Sequence, residues 1–278
     1  MSNFLPPQRA AYVPLPEYIK GDALRPGEML DSLYEEYIRW ETGGQYDDGE
    51  DIARGERLLE GVYAVVRNIG DRELGADNDE VNMLLTSLQA HPVIRVSTEK
   101  NGNLGEVHHH AVRNNMIRAD TLAVDLGKLQ HIQNPMVQEW LKMRGVYMSD
   151  KEALYFMIIR TVAHEAAHVV QGSIGRMAGI GGGEAAGFMT SPFGASRGGD
   201  TDVGDEGFAE GYAEVVLRKV LIDRGYDEIT IENIMHAMSH RSSPDAIERG
   251  YLAIEKPSVV GMLESASHAI RQKNQADW

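Results

Sequence analysis

TVAHEAAHVV, at positions 161–170, is the stretch that decides how this chain folds. His164 and His168 are four residues apart, so on a helix their imidazoles lie on one face, one turn apart, and can bind one ion. Glu165 between them is placed where a carboxylate can take a proton from a metal-bound water. The flanking residues are apolar, and a core-facing helix has little reason to hold these three side chains unless they bind something. The stretch therefore predicts a metal site on a buried helix.

Composition limits the classes of protein that fit. With 278 residues, 42% hydrophobic and 25% charged, the chain is typical of a soluble globular protein of one large or two small domains. The net charge of -15 argues against nucleic acid as a partner, since phosphate binding needs clustered Lys and Arg. There is no cysteine, so a metal must be bound by His and carboxylate side chains.

The first residues, MSNFLPPQR, lack the basic and then apolar layout of a signal peptide. No apolar run in the sequence approaches the length of a membrane span. We therefore expect no membrane partner, and a protein that is cytoplasmic or exported by a route independent of a signal peptide.

The N-terminal third is predicted to be helical after a proline-rich extended arm at residues 1–26. Apolar residues recur at helical spacing in three segments, residues 26–42, 51–69 and 79–90. After Pro92 the period changes to two, which predicts strands at residues 93–96, 107–112 and 121–126, with a hairpin-type turn at 101–103. We place a domain boundary here, with residues 1–90 as the arm and helical region and residues 91–278 as the second domain.

Three consecutive histidines fall on the middle predicted strand, His108 to His110. Because alternate side chains of a strand face opposite ways, at most His108 and His110 can converge on one ion. A polar edge strand that lines a cleft is favoured over a second metal site.

Ser149 and Glu152 form a capping-box pattern, which predicts the start of the helix that carries the histidines. This helix is apolar nearly all round up to Gly172, so we expect it to be buried at the centre of the fold. Further helices are predicted at residues 134–144, 227–240, 243–255 and 257–273. The fold class that follows is α+β, mainly helical, with a small mixed or antiparallel sheet.

Two histidines leave a zinc ion short of its usual three protein ligands. Downstream, Glu206, Glu210 and Glu214 recur every four residues and place a stripe of carboxylates on a second helix. A helix packed against the first can aim one carboxylate at the ion, so this stripe is the best source of the third ligand.

The HEAAH run at residues 164–168, followed by DEGFA at residues 205–209, resembles the gluzincin metallopeptidases, the thermolysin-like and aminopeptidase-like branch of the zincins. The resemblance implies zinc bound by His164, His168 and Glu206, with Glu165 as general base and Glu210 orienting a ligand histidine. It covers residues 149–217 only. It also implies a zincin-like catalytic domain with a small sheet, an active-site helix and a C-terminal helical part.

Two departures from the family leave the third ligand open. The gap between His168 and Glu206 is longer than in compact gluzincins and is rich in glycine. The Glu-Gly-aromatic-Ala-Glu run also occurs twice, so Glu210 can be the ligand with Glu214 behind it, although the residues flanking Glu206 favour Glu206. Glu184, within the glycine-rich segment, is a further candidate.

The activity that these residues predict is hydrolysis of peptide bonds in a protein or peptide substrate by a zinc-activated water. An oxyanion stabiliser is expected on a later helix, with Tyr251, His240 and His236 as candidates. The strand near residues 121–126 is expected to pair with an extended substrate, as in zincins generally. Two alternatives stay open: a non-catalytic zincin fold that zinc only stabilises, such as a virion component, and a delivered toxin or effector protease with one target.

Overall fold

The structure, a computed structural model, describes residues 29–33, 49–88, 91–97, 104–108, 120–178, 201–238 and 255–276, with the backbone alone at 201–205, 274 and 276. Several predictions fall outside these residues, namely the proline-rich arm, the turn at 101–103 and the helix at 243–255. The predictions for those segments are unchanged.

Helices dominate the described part of the chain, which confirms the predicted α+β, mainly helical class, while the zincin-like domain stays a prediction. A helical turn at residues 29–33 precedes them. The α-helices are α1 Gly49–Gly75, α2 Asp79–Ser87, α3 Leu126–Lys128, α4 Asn134–Met143, α5 Asp150–Met177, α6 Thr201–Asp223, α7 Glu228–Met238 and α8 Lys256–Ala276. A π-helical turn, Leu129–Gln133, joins α3 to α4. No helix among the described residues has both the length and the apolar character that crossing a membrane requires.

A small mixed sheet contains the strands β1 Val93–Val96, β2 Gly105–His108 and β3 Thr121–Val124. The spatial order is β1-β3-β2, with β1 parallel and β2 antiparallel to β3. Strand β3 is therefore paired along both edges and has no free backbone groups for a substrate strand. The expectation that residues 121–126 pair with substrate is wrong, because the long-range pairing of β1 with β3 places β3 at the centre.

Helix α5 begins where the sequence predicts but ends later. The Ser149 hydroxyl accepts the backbone N–H of Glu152 at 3.2 Å, which is one half of the predicted capping box. The Glu152 carboxylate does not complete the box but instead accepts the Tyr226 hydroxyl at 2.6 Å. The predicted end at Gly172 is wrong, since the helix continues to Met177. Gly172 is buried there, and core packing outweighs its intrinsic helical cost of about 1 kcal/mol.

The core forms around α5, which packs against α1, α6 and the sheet. One continuous cluster of buried hydrophobic side chains extends from Leu30 to Ile270 and includes Val66 of α1, Leu122 of β3 and Val170 of α5. The two sides of the predicted boundary near residue 90 thus share buried contacts, while the boundary itself stays a prediction.

Helices α1 and α6 approach closely at a glycine. A Cβ added at Gly70 would lie 2.2 Å from the hydroxyl oxygen of Tyr212, whose side chain is fully buried. The guanidinium of Arg67 also donates to Asp71 at 2.9 Å beside this contact, so the neighbours of Gly70 have little room to move.

We expect Gly70→Ala to lower the free energy of unfolding by about 1–3 kcal/mol, because the added methyl overpacks the α1–α6 contact. Gly261→Ala is the matched control, since a Cβ at Gly261 in α8 meets nothing within 4 Å. There the same change should stabilise by about 0.5–1 kcal/mol. Urea unfolding followed by circular dichroism measures both. Equal stabilisation by the two changes would contradict the close α1–α6 contact.

Candidate metal centre

Helices α5 and α6 bring three potential ligands together. The Nε2 atoms of His164 and His168, one turn apart on α5, are 3.2 Å from each other. Glu206 on α6 places Oε2 3.1 Å from the Nε2 of His164 and Oε1 3.7 Å from the Nε2 of His168. Among the described residues, these three side chains form the one His and carboxylate group with the spacing of a metal site.

These separations are close to those of a tetrahedral metal site. Ligand atoms at about 2.05 Å from a tetrahedral ion lie roughly 3.3 Å from one another. The two Nε2 atoms are 3.2 Å apart, and the Glu206 carboxylate places Oε2 3.1 Å from that of His164 and Oε1 3.7 Å from that of His168. The group can therefore hold a metal ion, and a donor set of two imidazoles and one carboxylate suits zinc.

The other ring nitrogen of each histidine faces a side-chain oxygen. The Nδ1 of His168 lies 2.8 Å from the side-chain oxygen of Gln171, one turn further along α5. The Nδ1 of His164 lies 3.1 Å from Oε1 of Glu210 on α6. Because these oxygens only accept, each Nδ1 carries a proton, and the Nε2 atoms face each other and Glu206, where a bound cation would take the place of a proton. Both imidazoles are therefore oriented as metal ligands.

The choice between Glu206 and Glu210 follows from the side of the ring that each contacts. Glu206 faces the Nε2 atoms, whereas Glu210 faces the Nδ1 of His164 and has its other oxygen hydrogen-bonded by Arg160. Glu214, two turns beyond Glu206, lies with Arg218 around a surface pocket. The rotation of a helix by about 40° every four residues turns the stripe away from α5.

The electrostatics of the site follow from this packing. Burial alone would lower the pKa of His164, but the contacts with Glu206 and Glu210 outweigh it and raise the pKa to about 10. Burial would likewise raise the pKa of Glu206, but hydrogen bonds from the two histidines hold it well below its usual range. A cation at this position therefore competes with a proton on the imidazole.

Glu165 lies beside the ligands and against the sheet. Its residue is 6% exposed, and burial raises the pKa of its carboxyl despite the neighbouring histidines. A Cβ added at Gly105 of β2 would lie 2.6 Å from Oε1 of Glu165, so the backbone of this edge strand is in direct contact with the carboxylate. Only glycine leaves this space free.

The other residues that the sequence suggested for the site either make contacts elsewhere or lie outside the described residues. His236 of α7 lies 3.0 Å from the guanidinium of Arg144 at the surface. The His108 side chain is 59% exposed and lies 3.4 Å from Glu106. Tyr251, His240, Glu184, His109 and His110 lie outside the described part of the chain.

Two polar residues of α5 that contact the site, Gln171 and Arg160, are absent from the sequence-based prediction. Both are buried, with 2% and 6% exposure. The sequence could have indicated them, because each is a polar residue on a mostly apolar helix, three or four residues from one of the two histidines.

No protein-family model, curated protein or solved structure matches this chain. The residues of the site themselves are therefore the basis for assigning a function.

We expect the chelator-treated protein to bind one equivalent of zinc, and a zinc concentration of 100 times the Kd to raise the free energy of unfolding by about 2.7 kcal/mol. His164→Gln should abolish this stabilisation because it removes one of three ligands. Isothermal titration calorimetry and thermal unfolding measure both effects. His268→Gln, on the exposed face of α8, is the control and should bind zinc as the parent does. Unaltered zinc binding by His164→Gln would exclude this site.

Proposed function

We propose that the protein is a zinc-dependent metallopeptidase with a zincin-like fold and a gluzincin-type ligand set. The observation that carries the proposal is the buried carboxylate of Glu165 beside the group formed by His164, His168 and Glu206. A site that only stabilises the fold has no need of a fourth ionisable group at that position, whereas hydrolysis needs a base next to the ion.

The ligand count supports a catalytic site over a structural one. Structural zinc sites are closed by four protein ligands, and catalytic sites have three and leave one position open. Among the described residues, three side chains meet at this centre. A zinc ion bound there supplies a positive charge that acidifies water and polarises a substrate carbonyl.

Glu165 acts in this proposal as the proton carrier. Its carboxylate accepts a proton from the water that attacks the scissile carbonyl carbon, and the protonated carboxyl then donates that proton to the leaving amine as the C–N bond breaks. Its burial between α5 and β2 excludes bulk water from this transfer.

The position of β2 supports an extended substrate. Strand β2 pairs with β3 along one edge, and among the described residues no strand pairs with its other edge. Because Gly105 of this strand touches Glu165, a peptide that adds to the free edge would run beside the proposed base. We therefore propose that a substrate strand adds to β2 rather than to β3.

We expect Glu165→Gln to lower peptide cleavage by about 10²–10⁴-fold, because the amide cannot accept the proton of the attacking water. Zinc affinity should stay within about threefold, since the ligands are unchanged. Digestion of an unbiased peptide library by the zinc-loaded parent and variant, read by mass spectrometry, measures the first effect, and calorimetry measures the second.

Glu139→Gln, an exposed residue of α4, controls for the loss of one negative charge and should cleave as the parent does. Equal cleavage by parent and Glu165→Gln would refute the mechanism. A parent that binds zinc but cleaves nothing in the library would favour the non-catalytic, zinc-stabilised protein.

Gly105→Ala tests the contact between β2 and the base. The added methyl group would overlap the Glu165 side chain and displace its carboxylate, so we expect kcat to fall by about 10²-fold. Zinc binding should be unaffected. A double variant with Glu165→Asp, which is shorter by one methylene, should be less impaired than the product of the two single effects predicts. Gly261→Ala, where the added Cβ meets nothing within 4 Å, is the control.

A further inference from the structure

Two buried polar side chains, Arg160 and Glu210, lead from the interior of α5 to His164 of the metal centre. Arg160 donates a hydrogen bond from Nη2 to Oε2 of Glu210, and Oε1 of Glu210 lies 3.1 Å from the Nδ1 of His164. Arg160 is 6% and Glu210 1% exposed. The two oxygens of one carboxylate thus face two different partners.

Packing alone does not explain this pair. The residues around Arg160 on α5 are buried and mostly apolar, with Ile159 and Val162 both at 0% exposure. A buried ion pair is often no more stable than apolar side chains of similar volume. An Arg and a Glu in this interior therefore point to a role other than stability.

The spacing on α5 defines that role. Arg160 precedes His164 by four residues, so both side chains lie on the face of α5 that meets α6. Glu210 enters between them from α6. The hydrogen bond from Arg160 holds one oxygen of the Glu210 carboxylate, which leaves the other oxygen facing the imidazole of His164.

We propose that Arg160 is a positioning residue of the metal centre, which holds Glu210 so that His164 keeps its Nε2 directed at His168 and Glu206. This role of Arg160 rests on the metal site of the proposed function but does not depend on peptide cleavage. A protein that binds zinc but cleaves no peptide therefore still permits the test.

Arg160→Met should weaken zinc binding by about 10–100-fold, the range typical of lost partners behind a ligand histidine. Competition with a chromophoric chelator measures the zinc Kd on protein shown to be folded by circular dichroism. In the Co²⁺-loaded protein, the visible absorption bands should change in position or intensity, because the geometry of one imidazole ligand changes.

Arg176→Met is the matched control. Arg176 lies on the same helix and also forms an ion pair, at 2.9 Å with Asp120, but has no described contact with the ligands. Its loss should change stability while zinc affinity stays within about threefold and the Co²⁺ spectrum is unchanged. Equal effects of the two Arg variants on zinc affinity would overturn the proposal.

Glu210→Gln tests whether Arg160 acts through Glu210. With Arg160 present, the single amide oxygen is drawn to the guanidinium and the NH₂ group faces His164, so we expect this variant also to bind zinc about 10–100-fold more weakly. In the double variant Arg160→Met/Glu210→Gln the oxygen is free to face His164. The added Arg160→Met change should then cause no further loss and should restore part of the affinity.

The double variant also leaves no unpaired buried charge, so it keeps the test available if Arg160→Met alone does not fold. In that case Arg160→Lys, which keeps the charge but not the planar guanidinium, should bind zinc more weakly than the parent. The proposal is overturned if folded Arg160→Met or Arg160→Lys binds zinc within threefold of the parent. It is also overturned if Arg160→Met causes a loss as large in the Glu210→Gln background, or if the parent binds no zinc.

Discussion

The packing of α5 against α6 is the interaction on which the centre depends. Two ligands come from α5 and the third from α6, and the distance of 3.1 Å between His164 and Glu206 exists only at this separation of the two helices. Small residues next to the ligands in sequence, Ala163 and Ala167 on α5 and Ala209 on α6, are fully buried. The packed hydrophobic core therefore holds the ligands in fixed positions, which surface loops would not do.

The site places ionisable groups where a core would otherwise be apolar. Glu165 and Glu210 are 6% and 1% exposed, and burial of a carboxylate is unfavourable unless a positive charge compensates it. Arg160 compensates Glu210 directly. Glu165 has the histidines as its nearest positive partners, and burial still raises its pKa. A bound cation would supply the missing charge and so relieve an unfavourable burial.

The sequence predicted what depends on local spacing and missed what depends on tertiary contacts. Two ligands on one helix are visible in HEAAH because helical geometry alone brings them together. The third ligand stayed open between Glu206 and Glu210, although the flanking residues favoured Glu206, and the way α6 faces α5 separates the two. The mainly helical α+β class was predicted correctly for the same local reasons. The expectation that a substrate pairs with residues 121–126 was wrong because the order β1-β3-β2 results from pairing between distant segments. The polar residues behind the histidines show in sequence only as exceptions on an apolar helix.

The two ligand histidines differ in what orients them. His168 has its acceptor on its own helix, because Gln171 lies one turn away on α5. His164 depends on α6 for its acceptor Glu210, and α6 also supplies the third ligand, Glu206. Docking of α6 therefore supplies the third ligand and also orients His164, one of the two histidines of α5. It follows that metal binding and the docking of α6 are thermodynamically linked, since an ion that binds only the docked arrangement stabilises it. An ion held at this centre contributes to the stability of the helix pair whatever reaction it supports.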